Sequence, residues 1–457
     1  MNASIRSLAA TWKTRVNRFV ETHPNVKAIV SNVGWLSLDT IVRMLTGLFL
    51  GTWVARYLQP GYFGEINYAL AIAALVGAPA GLGITDILIR DLVKRPQDAA
   101  NLLGTAFFSR MAAALVSYAI LAVYSLTLPN SLTRQLLLIS ALTLCTQALT
   151  VAGLRFKADL RSKQLVIAGN IGFAVSALVR IFLVLLRRPV VEFAWVAVIE
   201  TGVAAVMTVI IYAQCYSDLP KWRFEPATAS RLLGESWPLI LSAVAVTTYM
   251  RIDQVMLAQM LGTKQVGLYT AATKLSEITY IVPSILSSVL LPSIVRSKAL
   301  GPERYMARLQ NYYDMSAGLA YLLIVPLSLG SSFIIHFLYG KVYESSSAVL
   351  TVQVWALLFV FLGAARDQFL IAEGFLKFSF FSTFLGAVLN IGINLFLIPR
   401  YGPLGAASAT VIAFAITVVV CPYFYSSTRQ MSLQLCRAIF FPFRIWMRLR
   451  PKRSLPV

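Results

Sequence analysis

Seven stretches of this chain, at residues 66–85, 111–133, 135–154, 315–340, 345–365, 378–399 and 401–428, hold no Asp, Glu, Lys or Arg and are largely apolar. A helix rising through a hydrocarbon core of about 30 Å needs roughly 20 such residues, so each stretch can cross a membrane alone. Five further runs, at 30–54, 164–186, 190–213, 233–261 and 266–294, have the length but carry internal charge. Together they predict twelve transmembrane helices. No run shows the ten-residue alternation of a membrane β-barrel. Only 13% of the 457 residues are charged and 58% are apolar, against about 25% charged in ordinary globular proteins, which excludes a soluble enzyme.

The formal charge of +21 suggests nucleic acid until the basic residues are placed. Of the 40 Lys and Arg, 27 fall in the N-terminal segment, the even-numbered gaps and the C-terminal tail, 7 in the odd-numbered gaps, and 6 within or at the edges of spans. The positive-inside rule then puts both termini in the cytoplasm, and topology with anionic headgroups accounts for the charge without nucleic acid. In residues 1–29, Ile5, Leu8, Trp12, Val16 and Phe19 recur at helical spacing among basic residues, predicting an interfacial helix. The tail 429–457, where Ile439, Phe440, Phe443, Trp446 and Leu449 interleave with Arg and Lys, reads the same way. No cleavable signal peptide is expected. Cys145, Cys215, Cys421 and Cys436 have no metal-ligand spacing, so no metal site is expected.

Landmarks recur in order along the chain. Leu58 and Gly64 match Leu261 and Gly267, the Gly77–Gly83 stretch around Pro79 matches Val282-Pro283, and Asn170-Ile171-Gly172 returns as Asn390-Ile391-Gly392. Such order favours an internal duplication. Six spans per unit, an even number, make the repeat parallel. The expected organisation is an N-terminal six-helix lobe over 30–213, a Pro-containing cytoplasmic linker over 214–232, a C-terminal six-helix lobe over 233–428 and the basic tail, with a cleft between the lobes.

Ionisable residues inside spans mark polar pathways or buried pairs. Asp39 and Arg43 are four apart in the first span, Arg251 and Asp253 share the seventh, and Lys274 and Glu277 are three apart in the eighth. Arg180 is deep in its span and calls for an anionic ligand or an interhelical carboxylate such as Glu200. Arg110 and Arg366 lie near the ends of uncharged runs and are read as structural or interfacial. Arg43, Arg180, Arg251 and Lys274 are thus the candidate substrate-binding cations of a positive cavity, and Asp39, Asp253 and Glu277 the candidate coupling-ion or gating carboxylates. Guanidinium groups suit phosphate, and a lipid-linked sugar diphosphate fits such a cleft.

The run Trp35-Leu36-Ser37-Leu38-Asp39 followed by Arg43, with Val54-Ala55-Arg56-Tyr57-Leu58, Phe63-Gly64-Glu65-Ile66-Asn67-Tyr68-Ala69, Arg251-Ile252-Asp253-Gln254 and Val266-Gly267-Leu268-Tyr269, resembles the polysaccharide-transporter (Wzx-like) family of lipid-linked oligosaccharide flippases. The resemblance implies the all-α, twelve-helix, two-lobed fold of the multidrug/oligosaccharidyl-lipid/polysaccharide superfamily, also that of the MATE transporters. It also implies alternating access and flipping of polyprenyl-diphosphate oligosaccharides in a bacterial inner membrane. Expected partners are the lipid-linked oligosaccharide, membrane lipids and the polysaccharide polymerase machinery. No cofactor is expected beyond a coupling H+ or Na+. The chain lacks a phosphate-binding Gly-Lys-Ser/Thr loop and an external carboxylate pair, so it is not read as an enzyme. A multidrug or organic-cation antiporter is the alternative transporter, and a membrane glycosyltransferase, ligase or polymerase the enzymatic one.

Overall fold

The computed structural model describes residues 24–298 and 301–449, and every described regular element is helical. The predicted interfacial helix over the first twenty residues, and the tail beyond Leu449, lie outside the described residues. The chain divides into two compact units, Met1–Leu50 and Gly51–Val457. The first contributes the opening part of helix α1 (Pro24–Gly77), whose backbone breaks at Gln59 with φ 61° and ψ 166°.

The second unit begins within α1, at Gly51, and includes that break. A 3-10 turn, Ala78–Gly81, leads to α2 (Thr85–Lys94), and α3 (Ala99–Leu126) and α4 (Ser131–Leu149) form a packed pair. After the short α5 (Ala152–Ala158), α6 (Ser162–Leu185) and α7 (Val190–Cys215) pack together, with α7 also against α4. Then come α8 (Pro226–Leu261), α9 (Thr263–Glu277), a second 3-10 turn at Ile278–Tyr280, and α10 (Ile281–Lys298). Helices α11 (Pro302–Leu329), α12 (Ser331–Tyr339), α13 (Ser346–Gln353), α14 (Ala356–Glu373), α15 (Leu376–Tyr401) and α16 (Pro403–Ala415) follow. A π-helical turn, Ile416–Val420, ends α16, and α17 (Arg429–Ile439) and α18 (Phe441–Leu449) close the described chain.

The elements repeat as the sequence landmarks do. The break at Gln59 has its counterpart at Gly262, with φ 88° and ψ 164°, and Pro60 and Thr263 start the next helices. Both following helices run into a 3-10 turn, at Ala78–Gly81 and Ile278–Tyr280. A left-handed backbone at the first break is unusual for Gln and ordinary for Gly.

Ten helical stretches are long and apolar enough to cross a membrane among the described residues, against the twelve expected. The stretch Val42–Lys94 takes in two of the expected spans, because the break at Gln59 leaves no gap between helices. The expected span at 266–294 falls on α9 and α10 with the 3-10 turn after Glu277 between them, and the side chains of several of its residues lie outside the described set. The exterior is that of a multi-pass membrane protein: Val123, Phe182, Leu322 and Phe396 are exposed on long helices, whereas Ser140, Ser176, Asn390 and Asn394 are fully buried. Helices suit that solvent because each satisfies its own backbone.

The segment between α7 and α8 is clamped to α3. Gly104 leaves no room for a Cβ beside the Trp222–Arg223 backbone, Glu225 N donates to Thr105 Oγ1 at 3.1 Å, and Trp222 packs against Phe107 and Tyr212. Nearby, burial and a hydrogen bond to Asp159 push the Tyr216 hydroxyl up to about 12.

Candidate functional site

Cations from both halves of the repeat come together inside the bundle. Arg180, on α6, places Nη2 2.8 Å from Glu200 Oε2 on the packed neighbour α7, and Ser176 donates to the same oxygen at 2.9 Å. Arg251, on α8, approaches Glu277, at the end of α9, at 3.9 Å. Lys274, one turn before Glu277, lies with its Nζ 4.8 Å from the Phe63 ring centroid, and Glu277, Arg180 and Arg251 are near enough to act on it electrostatically. Among the described residues no carboxylate lies within 4 Å of the Lys274 ammonium. The cluster therefore holds three cations and two carboxylates. Neither Arg180 nor Arg251 is sealed off, so an incoming anion can compete for both guanidiniums.

Asp253 is two residues from Arg251, and residues at that spacing do not share a helix face. It turns instead into the second half. Its carboxylate accepts from Tyr269 Oη (2.7 Å), Thr410 Oγ1 (2.7 Å) and Asn394 Nδ2 (2.6 Å), and it is 3% exposed. Asn394 Nδ2 also reaches Asn390 Oδ1 at 3.1 Å, and Asn394 Oδ1 is buried with no partner. A carboxylate, an orphaned amide oxygen and two hydroxyls on four helices make an oxygen-rich site suited to a small hard cation. No group of three or more His, Cys, Asp or Glu residues forms a metal site among the described residues.

The remaining candidates are elsewhere. Arg43 is partly buried on α1 in the first unit, and the Asp39 side chain lies outside the described set. Arg110 is buried and donates to Gly81 O (3.2 Å) and Thr85 Oγ1 (2.6 Å), bracing the turn between α1 and α2. Arg366 is buried, donates to Thr417 O (2.9 Å) and pairs with its neighbour Asp367 at 2.8 Å.

Sequence reasoning missed Glu65. It is buried at the break-bearing end of the second unit, where Thr133 (2.5 Å), Asn130 (3.3 Å) and Thr263 (3.1 Å) donate to it. The Thr263 bond joins the two halves of the repeat, as does Tyr343 Oη to Ala55 O (2.8 Å) and the bond from Arg56 Nη2 to Phe337 O. The available signal was a carboxylate just before an uncharged run, six residues beyond the helix break at Gln59. At the other end, Arg90 reaches Glu235 (2.6 Å) and Arg231 reaches the buried Asp91 (2.6 Å), tying α2 to the start of α8.

A family profile described as polysaccharide biosynthesis protein matches residues 53–348, more than half of the chain. The chain belongs to that family. The match takes in α2 to α12 whole, with Arg180, Arg251, Lys274 and Asp253, and stops short of Asn390, Asn394 and Thr410. Over 210 residues the chain is 22% identical to the probable low-salt glycan biosynthesis flippase Agl15 of Haloferax volcanii, and the match covers 45% of this chain and 44% of the relative. It thus spans less than half of that relative's length. Two solved structures share its fold at a TM-score of 0.68. One is an inward-facing multidrug resistance MATE family transporter of the MOP superfamily, at 14% identity over 86% of this chain and 96% of that one. The other is the lipid II flippase MurJ in an inward closed conformation, at 16% identity over 91% and 93%. The chain therefore has an all-α, multi-pass membrane fold like that of these two structures.

Proposed function

We propose that this protein flips polyprenyl-diphosphate-linked oligosaccharide repeat units from the cytoplasmic to the outer leaflet during cell-surface polysaccharide biosynthesis. The observation that carries the reading is the convergence of Arg180 from the first half with Arg251 and Lys274 from the second. The diphosphate displaces Glu200 and Glu277 from the two guanidiniums, which bind it through paired hydrogen bonds, while Lys274 adds a point charge. Arg43, in the first unit, is kept as a further candidate substrate-binding cation. The polyprenyl tail stays in lipid throughout.

In this reading twelve helices form two six-helix lobes, 30–213 and 233–428, joined by the 214–232 linker, with both termini on the cytoplasmic side of a bacterial inner membrane. The Gln59 and Gly262 breaks are then at the outer face. The Glu65–Thr263 bond closes that face, and rocking of the lobes opens it. An inside-negative potential favours outward movement of anionic charge by about 2.3 kcal/mol per charge per 100 mV. Asp253, with Asn394 and Thr410, would hold a coupling cation, Na+ or H+, which supplies a second gradient as driving force. Glu277, released from Arg251 when substrate binds, acts as a gate, and Asp39 is the remaining candidate carboxylate.

The test is reconstitution in liposomes with a fluorescent polyprenyl-diphosphate oligosaccharide in one arm and a cationic dye in the other. Glycolipid translocation without dye efflux is the expected result. Dye movement without glycolipid movement would replace this reading by a cation antiporter, which the carboxylates Glu200 and Glu277 in the same cluster would serve.

A further inference from the structure

The two last helices cover a cavity unrelated to the cationic cluster. Helices α17 and α18 lie against α11, where Tyr321 Oη donates to Ile439 O at 2.9 Å. Gly318 makes room for the Phe441 ring, since a Cβ there would come within 2.9 Å of it. Alongside this contact is a cavity of about 530 Å³ whose polar lining includes Gln310, Asp314, Gln434, Arg437 and Arg444.

The hydrogen bonds fix how these groups present themselves. Gln310 Nε2 donates to Asp314 Oδ1 (2.8 Å) and to Gln434 O (3.2 Å), and Gln434 Nε2 donates to Met306 O (2.9 Å). Each amide is thereby oriented, and each Oε1 is left buried with no donor. Arg444 neutralises Asp314 at 2.9 Å. The exposed Arg437 guanidinium has no partner among the described residues. Buried acceptors without donors are costly, so a fitting ligand brings hydroxyls for two amide oxygens and negative charge for one guanidinium.

Depth decides the source of that ligand. Asp314 immediately precedes the uncharged run 315–340, and Leu433, Phe440 and Met447 are exposed on the covering helices, which places the cavity where headgroups meet hydrocarbon. The main neighbours of α11 are α10, α12, α13, α14, α17 and α18, none of which carries a member of the cationic cluster. We propose that this cavity seats the headgroup of a resident anionic phospholipid bearing free hydroxyls, phosphatidylglycerol being the simplest. Its phosphate meets Arg437, and its glycerol hydroxyls donate to Gln310 and Gln434 after a small side-chain adjustment.

Native mass spectrometry of the delipidated full-length protein, with phosphatidylglycerol, phosphatidic acid or phosphatidylethanolamine added back, tests this. Phosphatidylglycerol should be retained in preference to both others. Arg437→Ala, on an exposed residue, should lower its retention about tenfold, the usual worth of one charge-assisted hydrogen bond, and Arg437→Lys should restore most of it. Gln434→Leu should erase the preference over phosphatidic acid, and soluble glycerol 3-phosphate should not compete at equal concentration. Equal retention of phosphatidic acid by the wild type, or unchanged retention in Arg437→Ala, would overturn the site. Full competition by glycerol 3-phosphate would overturn the lipid as its source.

Discussion

Gly64 and Gly267 meet backbone to backbone, and they are the same position of the duplicated unit, 203 residues apart. A Cβ on Gly64 would overlap the Thr263 carbonyl and lie 2.8 Å from Gly267 N, and a Cβ on Gly267 would overlap the Pro60 carbonyl. Pro60 and Thr263 are themselves 203 apart, so the contact is reciprocal, as at a two-fold axis. Sequence comparison supplied the equivalence of the two glycines, and packing adds that equivalent positions touch.

Gly64→Ala and Gly267→Ala should each push the two backbones apart at this end, with a cost of about 1–3 kcal/mol in the state described here, as for other overpacked contacts. Pulsed electron paramagnetic resonance between spin labels on the exposed Tyr62 and on Lys264 should report a longer distance in either variant. Thiol labelling of Thr263→Cys should quicken. An unchanged distance would mean that the contact does not hold the two halves together.

Gln59 adopts a backbone conformation that its counterpart Gly262 adopts without a side chain. Such a residue costs of order 1–3 kcal/mol. Gln59→Gly should therefore raise the melting temperature despite the extra freedom it gives the unfolded chain, and Gly262→Gln should lower it. Differential scanning fluorimetry on the purified protein decides the sign.

Asp253 gathers three donors in a site with an unpartnered amide oxygen, and a bound cation would stabilise the folded protein in proportion to RT ln(1 + [ion]/Kd). At an ion concentration a hundred times Kd this amounts to about 2.7 kcal/mol. Raising Na+ at constant ionic strength against K+ should increase the melting temperature of the wild type and leave Asp253→Asn and Asn394→Leu unmoved. A wild type equally insensitive, tested also across pH, would remove Asp253 from ion coupling.

What was legible in the sequence follows from what each feature depends on. Runs without charge and matched landmarks are local, and they predicted most of the helices. Continuation of the helix across Gln59 depends on how it is braced by others, so two expected spans run as one stretch. Glu200 could be named as a partner for Arg180 because few carboxylates lie in spans. The company of Asp253 was illegible: Tyr269, Asn394 and Thr410 lie up to 157 residues away, and uncharged residues give no sign in an apolar run. Arg251 likewise pairs with Glu277 across two helices and leaves Lys274 against Phe63, a choice made by packing.

In the proposed function the cations gathered at Arg180, Arg251 and Lys274 carry an anionic headgroup across the membrane. Its most direct measurement is the rate of fluorescent polyprenyl-diphosphate oligosaccharide flipping in proteoliposomes by Arg180→Gln, Arg251→Gln and Lys274→Met, at matched insertion and thermal stability. A loss of about tenfold or more is expected in each, the ordinary worth of one charge-assisted hydrogen bond. Wild-type flipping in all three folded variants would contradict it.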